Sequence, residues 1–352
     1  MTLRSVLVLH NQPVLPRDHP DAESEHTVVE IAGEMAKVLE EAGYRVHQLG
    51  LGGDPTVLWR ALAKRKPDVV FNLYEGNADN TQTESFVAGL LEWSGIPFTG
   101  SPYAALSLAR AKHTTKHLLK GAGLPTADFQ VVNALPVPDC TLEFPVIVKP
   151  AEQDGSVGLD QESVCTNKAQ LAKRVRYVLA TYGAPAIIEE YIEGREFNVG
   201  LVELPELQAL VPMETVFLVP TGSWRIYTYG RKWNRGTAEY EETQSRLATD
   251  LSAAILAKLN RLAMQAYRLL GCQDYARADF RVTPSGKAYL LEVNPNPEIS
   301  VGSDLTEALS SAGMPHSEFI VALVEQAARR RRATTPKLTP ARRDTSRRAR
   351  PA

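Results

Sequence analysis

The sequence predicts an α/β protein of more than one domain, and three observations carry that expectation. The chain has 352 residues, more than one small core accommodates. Strand-like and helix-like segments alternate through its N-terminal third. Toward the C-terminus, two β-rich segments flank Pro284-Ser285-Gly286, the pattern of a hairpin.

Taken in order, Val6 to His10 reads as a buried strand. Thr27 to Ala42 reads as a helix with Val28, Ile31, Met35, Val38 and Leu39 on one face and Gly43 as its stop. A strand at Arg45 to Leu49, a helix at Thr56 to Arg65, a strand at Val69 to Leu73 and a helix from Thr83 to Trp93 complete a parallel unit. Ligands of such units gather beyond the carboxyl ends of the strands, here His10 to Glu25 and Tyr74 to Thr83. From Ser101 two short helices run to Gly121. They are followed by a strand at Phe144 to Lys149, a helix at Asn167 to Ala180 and a strand at Ala186 to Glu190. The remainder holds a strand at Arg195 to Val202, a long helix at Leu251 to Leu270, the hairpin and a closing helix, with no internal repeat. The expected division is 1–102, 103–190 and 191–330, with 331–352 a basic disordered tail.

Composition excludes several classes. No apolar run approaches the length of a membrane span, and Met1-Thr2-Leu3-Arg4 carries no recognisable secretion signal. Cys140, Cys165 and Cys272 are odd in number and fit neither a zinc spacing nor a disulfide framework, so a cytoplasmic setting is expected. The formal net charge is −2. The segment Arg329 to Arg350 is dense in Lys and Arg, with Asp344 its single acid, which leaves the body acidic. Without interleaved aromatics this tail reads as a solvated extension, and nucleic acid is not an expected partner.

The densest chemistry lies in the hairpin. Its turn sets Asp279 opposite Glu292 and Arg277 opposite Asn294. Ala278, Phe280, Val282, Tyr289, Leu291 and Val293 then fall on one face, as core, and the polar group on the other. Facing carboxylates repel, and one or two hard cations with oxygen ligands, such as Mg²⁺ that also holds phosphates, relieve the repulsion. A solvated hairpin with a salt bridge through Arg277 is the competing reading.

Two further segments add to it. Val146 to Pro150 delivers Lys149 at a strand end just before the polar loop Gln153 to Gly158, a clamp suited to phosphate although not a Walker A loop. A hairpin with a snorkelling lysine explains the same residues. Ile187 to Ile192 is an acidic strand whose edge offers its backbone to an adenine, with Glu190 and Glu196 pointing to water as the alternative.

Together these segments resemble the ATP-grasp ligases, and most closely the D-alanine–D-alanine ligase family. The likeness runs from Ser5 to about Arg329. It rests on Asp21-Ala22-Glu23, Leu90-Leu91-Glu92 through Ser101, Val148-Lys149-Pro150 with Gly155 to Gly158, Glu189 to Phe197, and Gly271-Cys272 through Asn294. The resemblance implies an ATP-grasp fold, with an N-terminal parallel α/β domain, a central α+β lid and a C-terminal α+β domain with an antiparallel sheet. It implies ATP and two Mg²⁺ ions, with Mn²⁺ as a substitute, and a homodimer. It implies Lys112, Lys149 and Ser156 at the phosphates, Glu189 with the backbone of Glu190 and Ile192 at adenine, and Glu196 at the ribose. Asp279, Glu292 and Asn294 would be metal ligands, Arg277 the partner of the developing oxyanion, and Lys232 the lysine of a closing loop. Glu23, Trp233 and Ser303 would contact the amino-acid substrates, Glu23 taking the first ammonium. The implied reaction joins a carboxylate to an amine through an acyl phosphate, releasing ADP and phosphate.

The amino-acid pocket departs from the family pattern. Gly155 replaces a serine and Trp233 a tyrosine, so a hydrogen-bonded trio with Glu23 is broken. Asp154 and Glu298 replace glycines, Glu75 replaces a histidine, Asp304 follows Ser303, and three extra residues lie around Asn77 to Asn80. Two alternatives therefore stand beside dipeptide formation: a ligase for other amino acids or a small metabolite, and a non-catalytic nucleotide-binding regulator.

Overall fold

A computed structural model describes residues 5–13, 22–77, 80–153, 155–183, 185–233 and 236–334, without the side chains of 22–26, 233 and 331–334. The tail beyond 334 and Asp154 lie outside the described residues. So do the side chains of Glu23 and Trp233.

The first sheet is built from β1 (Ser5–Asn11), α1 (Ala22–Glu41), β2 (Arg45–Leu51), α2 (Pro55–Arg65), β3 (Val69–Leu73) and α3 (Thr83–Ser94). Its strands are parallel in the order β2-β1-β3. All of β1 is buried because both faces are covered. Val6 and Val8 join one core and Leu7 and Leu9 the other. α1 begins five residues before the sequence pattern predicted, because Ala22 to His26 lack the apolar period that marks the rest of the helix.

The second sheet follows α4 (Tyr103–Arg110) and α5 (Lys112–Gly121). It comprises β4 (Phe129–Val132), β5 (Val146–Pro150), β6 (Val164–Cys165), α6 (Lys168–Tyr182) and β7 (Ala186–Glu190). The order β4-β7-β5-β6 is antiparallel throughout. β7 is therefore an inner strand, a correction to the edge the sequence suggested; the N–H of Glu190 donates to Asp128 O at 3.0 Å.

The third sheet carries β8 (Arg195–Glu203), β9 (Leu207–Ala209), β10 (Met213–Phe217), α7 (Tyr229–Trp233), α8 (Ala238–Glu241), β11 (Thr243–Leu247) and α9 (Ala253–Leu270). It continues with β12 (Tyr275–Val282), β13 (Ala288–Asn294), α10 (Asp304–Ser311) and α11 (His316–Thr334). Its order is β11-β10-β8-β12-β13, with β9 on β8. Phe197, Val199, Ala278, Phe280 and Leu290 pack beneath α9 through Leu259, Leu262 and Ala266. The closing helix α11 instead packs Phe319, Ile320, Leu323 and Val324 against Val6, Val8, Met35 and Phe71 of the first sheet. Chain order alone does not show that return.

The hairpin pairs Arg277 with Asn294 and Asp279 with Glu292, as its turn predicts. Between Asp279 and Phe280 the register shifts by one residue, so Phe280 faces Leu290. Leu291 and Glu292 together oppose Asp279, a β-bulge that bends the strand at its polar face. Ala288 and Leu290 consequently enter the core, whereas Tyr289 and Leu291, expected there, are only partly buried.

Candidate active site

The polar face of β8, β12 and β13 forms one wall. On β12 the alternation Arg277, Asp279, Arg281 places all three side chains on it, with Asn198 facing Asp279 and Glu196 facing Arg281 across β8. Arg277 grips Asp279 bidentately, Nε and Nη2 each 2.8 Å from a carboxylate oxygen. Asn294 Nδ2 donates to Asp279 at 3.0 Å. Burial opposes the charge on Arg277, but Asp279, Asp304 and Glu292 around it hold its guanidinium protonated above its ordinary range. Burial likewise raises the Asp279 carboxyl, against the pull of Arg277. Glu292 would also be raised by burial, yet Lys112, Lys149, Arg277 and Lys232 hold it at about 2.

The opposite wall comes from the second sheet and α5. Lys112 opens α5, its Nζ donating to Gln153 O at 2.6 Å and lying 3.7 Å from Glu292. Lys149 on β5 reaches Glu189 on β7 at 3.4 Å. The same carboxylate takes Lys116 at 3.1 Å, and that lysine also donates to Thr126 Oγ1 at 2.8 Å. Lys116 is 2% exposed. Burial pushes its pKa down, against the neighbouring Glu189 charge. Burial would raise Glu189, but Lys116 and Lys149 outweigh it and hold the carboxyl below its ordinary range. Ser156 sits in the loop after β5 at φ +64°, and Gly158 at φ +74°. A Cβ on Gly158 would meet the Tyr182 ring at 2.8 Å, so that turn requires glycine.

Two residues of this cluster were not singled out from the sequence. Lys116 lies one turn after Lys112 on the same helical face, a spacing that signals a shared side. Arg281 continues the polar alternation of β12; it pairs with Glu196 at 2.7 Å and donates to Ile192 O at 3.2 Å. Glu196 is thus held by a cation rather than pointing freely to water.

At the far end of the cleft lie the departures from the family pattern. Lys232 on α7 has its pKa lowered by burial and by Arg277, while Glu292, Asp279 and Glu75 oppose the shift. Asp304 opens α10 and accepts from Asn198 Nδ2 and Ser245 Oγ, each at 2.6 Å. Its charge is held by two neutral donors on the sheet. Ser303, its neighbour, donates to Glu298 O at 3.1 Å. Glu75 follows β3 and Glu298 follows β13, and both line one cavity with Asn72.

Among the described residues no cluster of three or more His, Cys, Asp or Glu offers a metal site. A cation at the hairpin would therefore draw on Asp279, Glu292, the amide oxygen of Asn294 and oxygen from a bound ligand. These hard donors fit Mg²⁺, which is characteristically held by one or two carboxylates plus substrate phosphates. Each carboxylate already has a cationic neighbour, Arg277 or Lys112.

Residues 118–325 match the family model described as D-ala D-ala ligase C-terminus. A D-alanine–D-alanine ligase of Sinorhizobium fredii is 30% identical over 300 residues, covering 83% of this chain and 90% of the relative. An uncharacterized protein, y4sG, from the same organism is 30% identical over 307 residues, covering 85% and 88%. The crystal structure of D-alanine–D-alanine ligase from Bacillus anthracis complexed with ATP superposes with a TM-score of 0.73 at 20% identity, covering 95% of this chain and 100% of that one. The chain belongs to the D-alanine–D-alanine ligase family of ATP-grasp enzymes.

Proposed function

We propose that this protein is an ATP-dependent carboxylate–amine ligase that joins two amino acids, with D-alanyl-D-alanine formation as the reference reaction of its family. The observation that carries this reading is the convergence of Lys112, Lys149, Lys116 and Arg277 on the carboxylates of Glu189, Glu292 and Asp279 across one cleft. Such a cleft is arranged for a polyphosphate and the charge it spreads on transfer.

In this reading Glu189 and the backbone at and beyond the end of β7, at Glu190 and Ile192, receive the adenine, and Glu196, steadied by Arg281, receives the ribose. Lys112, Lys149 and Ser156 hold the phosphates. Asp279, Glu292 and Asn294 hold Mg²⁺, as two ions with Mn²⁺ as a substitute, and bound metal supplies neutralisation of phosphate charge. The first amino acid's carboxylate attacks the γ-phosphate, and the second amino acid's amine then displaces phosphate from the acyl phosphate. Arg277 stabilises the oxyanion of that displacement, and Lys232 closes the cleft so that water does not intercept the acyl phosphate. Glu23 receives the first ammonium; Trp233 and Ser303 complete the amino-acid pocket. We place this activity in the cytoplasm and in a homodimer; no helix among the described residues is long and apolar enough to cross a membrane.

A second reading, the same chemistry on other acids, is favoured by Glu75 and Glu298 lining the cavity at the amino-acid end. One experiment separates the readings: ADP release and product mass across a panel of D- and L-amino acids. D-Alanine-dependent ADP release with a dipeptide product supports the first. Activity with other acids while D-alanine is inert supports the second. ATP binding without amino-acid-dependent turnover leaves only a nucleotide-binding regulator.

A further inference from the structure

We propose that Gln161 is a positioning residue that ties the segment carrying Lys232 to the loop carrying Ser156, so that the two act on one ligand as a unit. This inference rests on the ligase reading and deepens it. Gln161 lies in a short 3₁₀ turn, Gln161–Ser163, just past the loop after β5. Its side-chain amide pairs reciprocally with the backbone of Trp224. Nε2 donates to Trp224 O at 3.1 Å, and Oε1 accepts from Trp224 N at 2.7 Å. A primary amide carries a donor and an acceptor side by side, so one side chain satisfies both backbone groups of a residue remote in sequence.

The turn that presents Gln161 is itself held. Buried Arg174 of α6 donates to Gly158 O at 2.6 Å, to Ser163 Oγ at 2.7 Å and to Asp160 at 2.9 Å. Asp160 closes a capping box with Glu162 and Ser163, and Leu159 N donates back to Ser156 O at 3.0 Å. Two further contacts join the same pair of segments. Tyr229 N donates to Leu159 O at 3.2 Å, and buried Ile226 packs with Ile147 of β5 and Val164 of β6.

From this junction the tie runs through the backbone to Lys232. α7 opens at Tyr229, and Lys232 N donates to Thr228 O at 3.2 Å. Arg231, also buried, donates to Ile226 O at 3.2 Å and to Glu242, the residue ending α8, at 2.7 Å. Apolar packing at Ile226 is non-directional and tolerates sliding. The paired hydrogen bonds at Gln161 are directional and fix the register. Losing both shifts the balance between docked and lifted segment about tenfold toward lifted. With the segment lifted, water adds at the acyl carbon of the acyl phosphate and its bond to the phosphate oxygen breaks. Free amino acid and phosphate result, and ADP has formed without ligated product.

The test uses the full-length enzyme with ATP, Mg²⁺ and an amino-acid pair that turns over, and measures ADP and ligated product together. Gln161→Leu is expected to raise ADP release without product about tenfold. A merely structural defect lowers ADP and product in parallel. Gln161→Glu keeps the acceptor for Trp224 N and loses the donor to Trp224 O, so an intermediate rise is expected; it also serves if Gln161→Leu fails to fold. Hydrogen exchange in the ATP-free protein supplies a readout independent of turnover. Exchange at the Tyr229 amide, whose own bond is to Leu159, is expected to quicken about tenfold in Gln161→Leu, with α9 unchanged. Wild-type coupling in the folded variants overturns the inference, as does unchanged exchange at Tyr229. If no amino acid elicits ADP from the wild type, the ligase reading falls and the positioning role with it. If the wild type turns over and the variants couple as it does, this inference alone falls.

Discussion

The two ends of the cleft handle charge in opposite ways. At the end formed by the hairpin and the second sheet four acids each have a cation: Glu189 has Lys116 and Lys149, Glu196 has Arg281, Asp279 has Arg277 and Glu292 has Lys112. At the amino-acid end Glu75 and Glu298 share a cavity with an amide donor that has no partner. One end has its acids paired with cations across the cleft; at the other Glu75 and Glu298 are exposed, and Glu298 accepts a hydrogen bond from Ser300 Oγ. The contrast marks where the charge pairing is complete across the cleft and where this chain departs from the family pattern.

The hardest way to break the assembled end is to remove a carboxylate from the hairpin. Asp279→Asn keeps the shape but halves the facing acid pair, and ADP release is expected to fall about 10³-fold. Circular dichroism and a thermal melt establish that the variant remains folded. Lys116→Met attacks the same end through stability. It removes one of the two cations on Glu189 and leaves Lys149 at 3.4 Å, and the expected loss is about 1–3 kcal/mol, read by denaturant unfolding. Adding Glu189→Leu in a double-mutant cycle should recover part of that loss, because the buried, under-compensated carboxylate is then gone.

Arg281→Met tests whether holding Glu196 matters for nucleotide binding. KM for ATP is expected to rise roughly tenfold with kcat little changed, measured with Mg²⁺ and the amino acids saturating. A smaller effect comes from pH. Glu292 is held at about 2, against an ordinary 4.5. A depressed carboxyl contributes stability above its unfolded value and loses it as pH falls toward its folded one. Metal-free protein should therefore weaken between about pH 4.5 and pH 2, and Glu292→Gln should flatten that decline in a urea series.

Much of the assembled end was legible in the chain because strand alternation is a strict rule. Asp279, Glu292, Arg277 and Asn294 occupy the pairing that the turn Pro284-Ser285-Gly286 predicts. The bulge at Leu291 was not legible: Leu290 and Leu291 are chemically alike, and only packing beneath α9 decides which enters the core. Arg281 belongs to the same alternation, but its partner lies on β8, far away in sequence. Lys116 carried a helical signal, yet its role depends on Glu189 arriving from β7. The inner position of β7 and the return of α11 to the first sheet are long-range arrangements that local patterns do not encode. At the amino-acid end the sequence showed unusual acids, but only the fold brings Asn72, Glu75 and Glu298 around one cavity.

On the proposed function, the assembled end serves to activate a carboxylate. An amino acid labelled with ¹⁸O in its carboxylate, turned over with ATP, Mg²⁺ and an acceptor amino acid, tests it most directly. Transfer of a carboxylate oxygen through the acyl phosphate predicts one ¹⁸O atom in each released phosphate. Phosphate released without label would contradict the account, because ATP would then be cleaved by water rather than by the substrate's carboxylate.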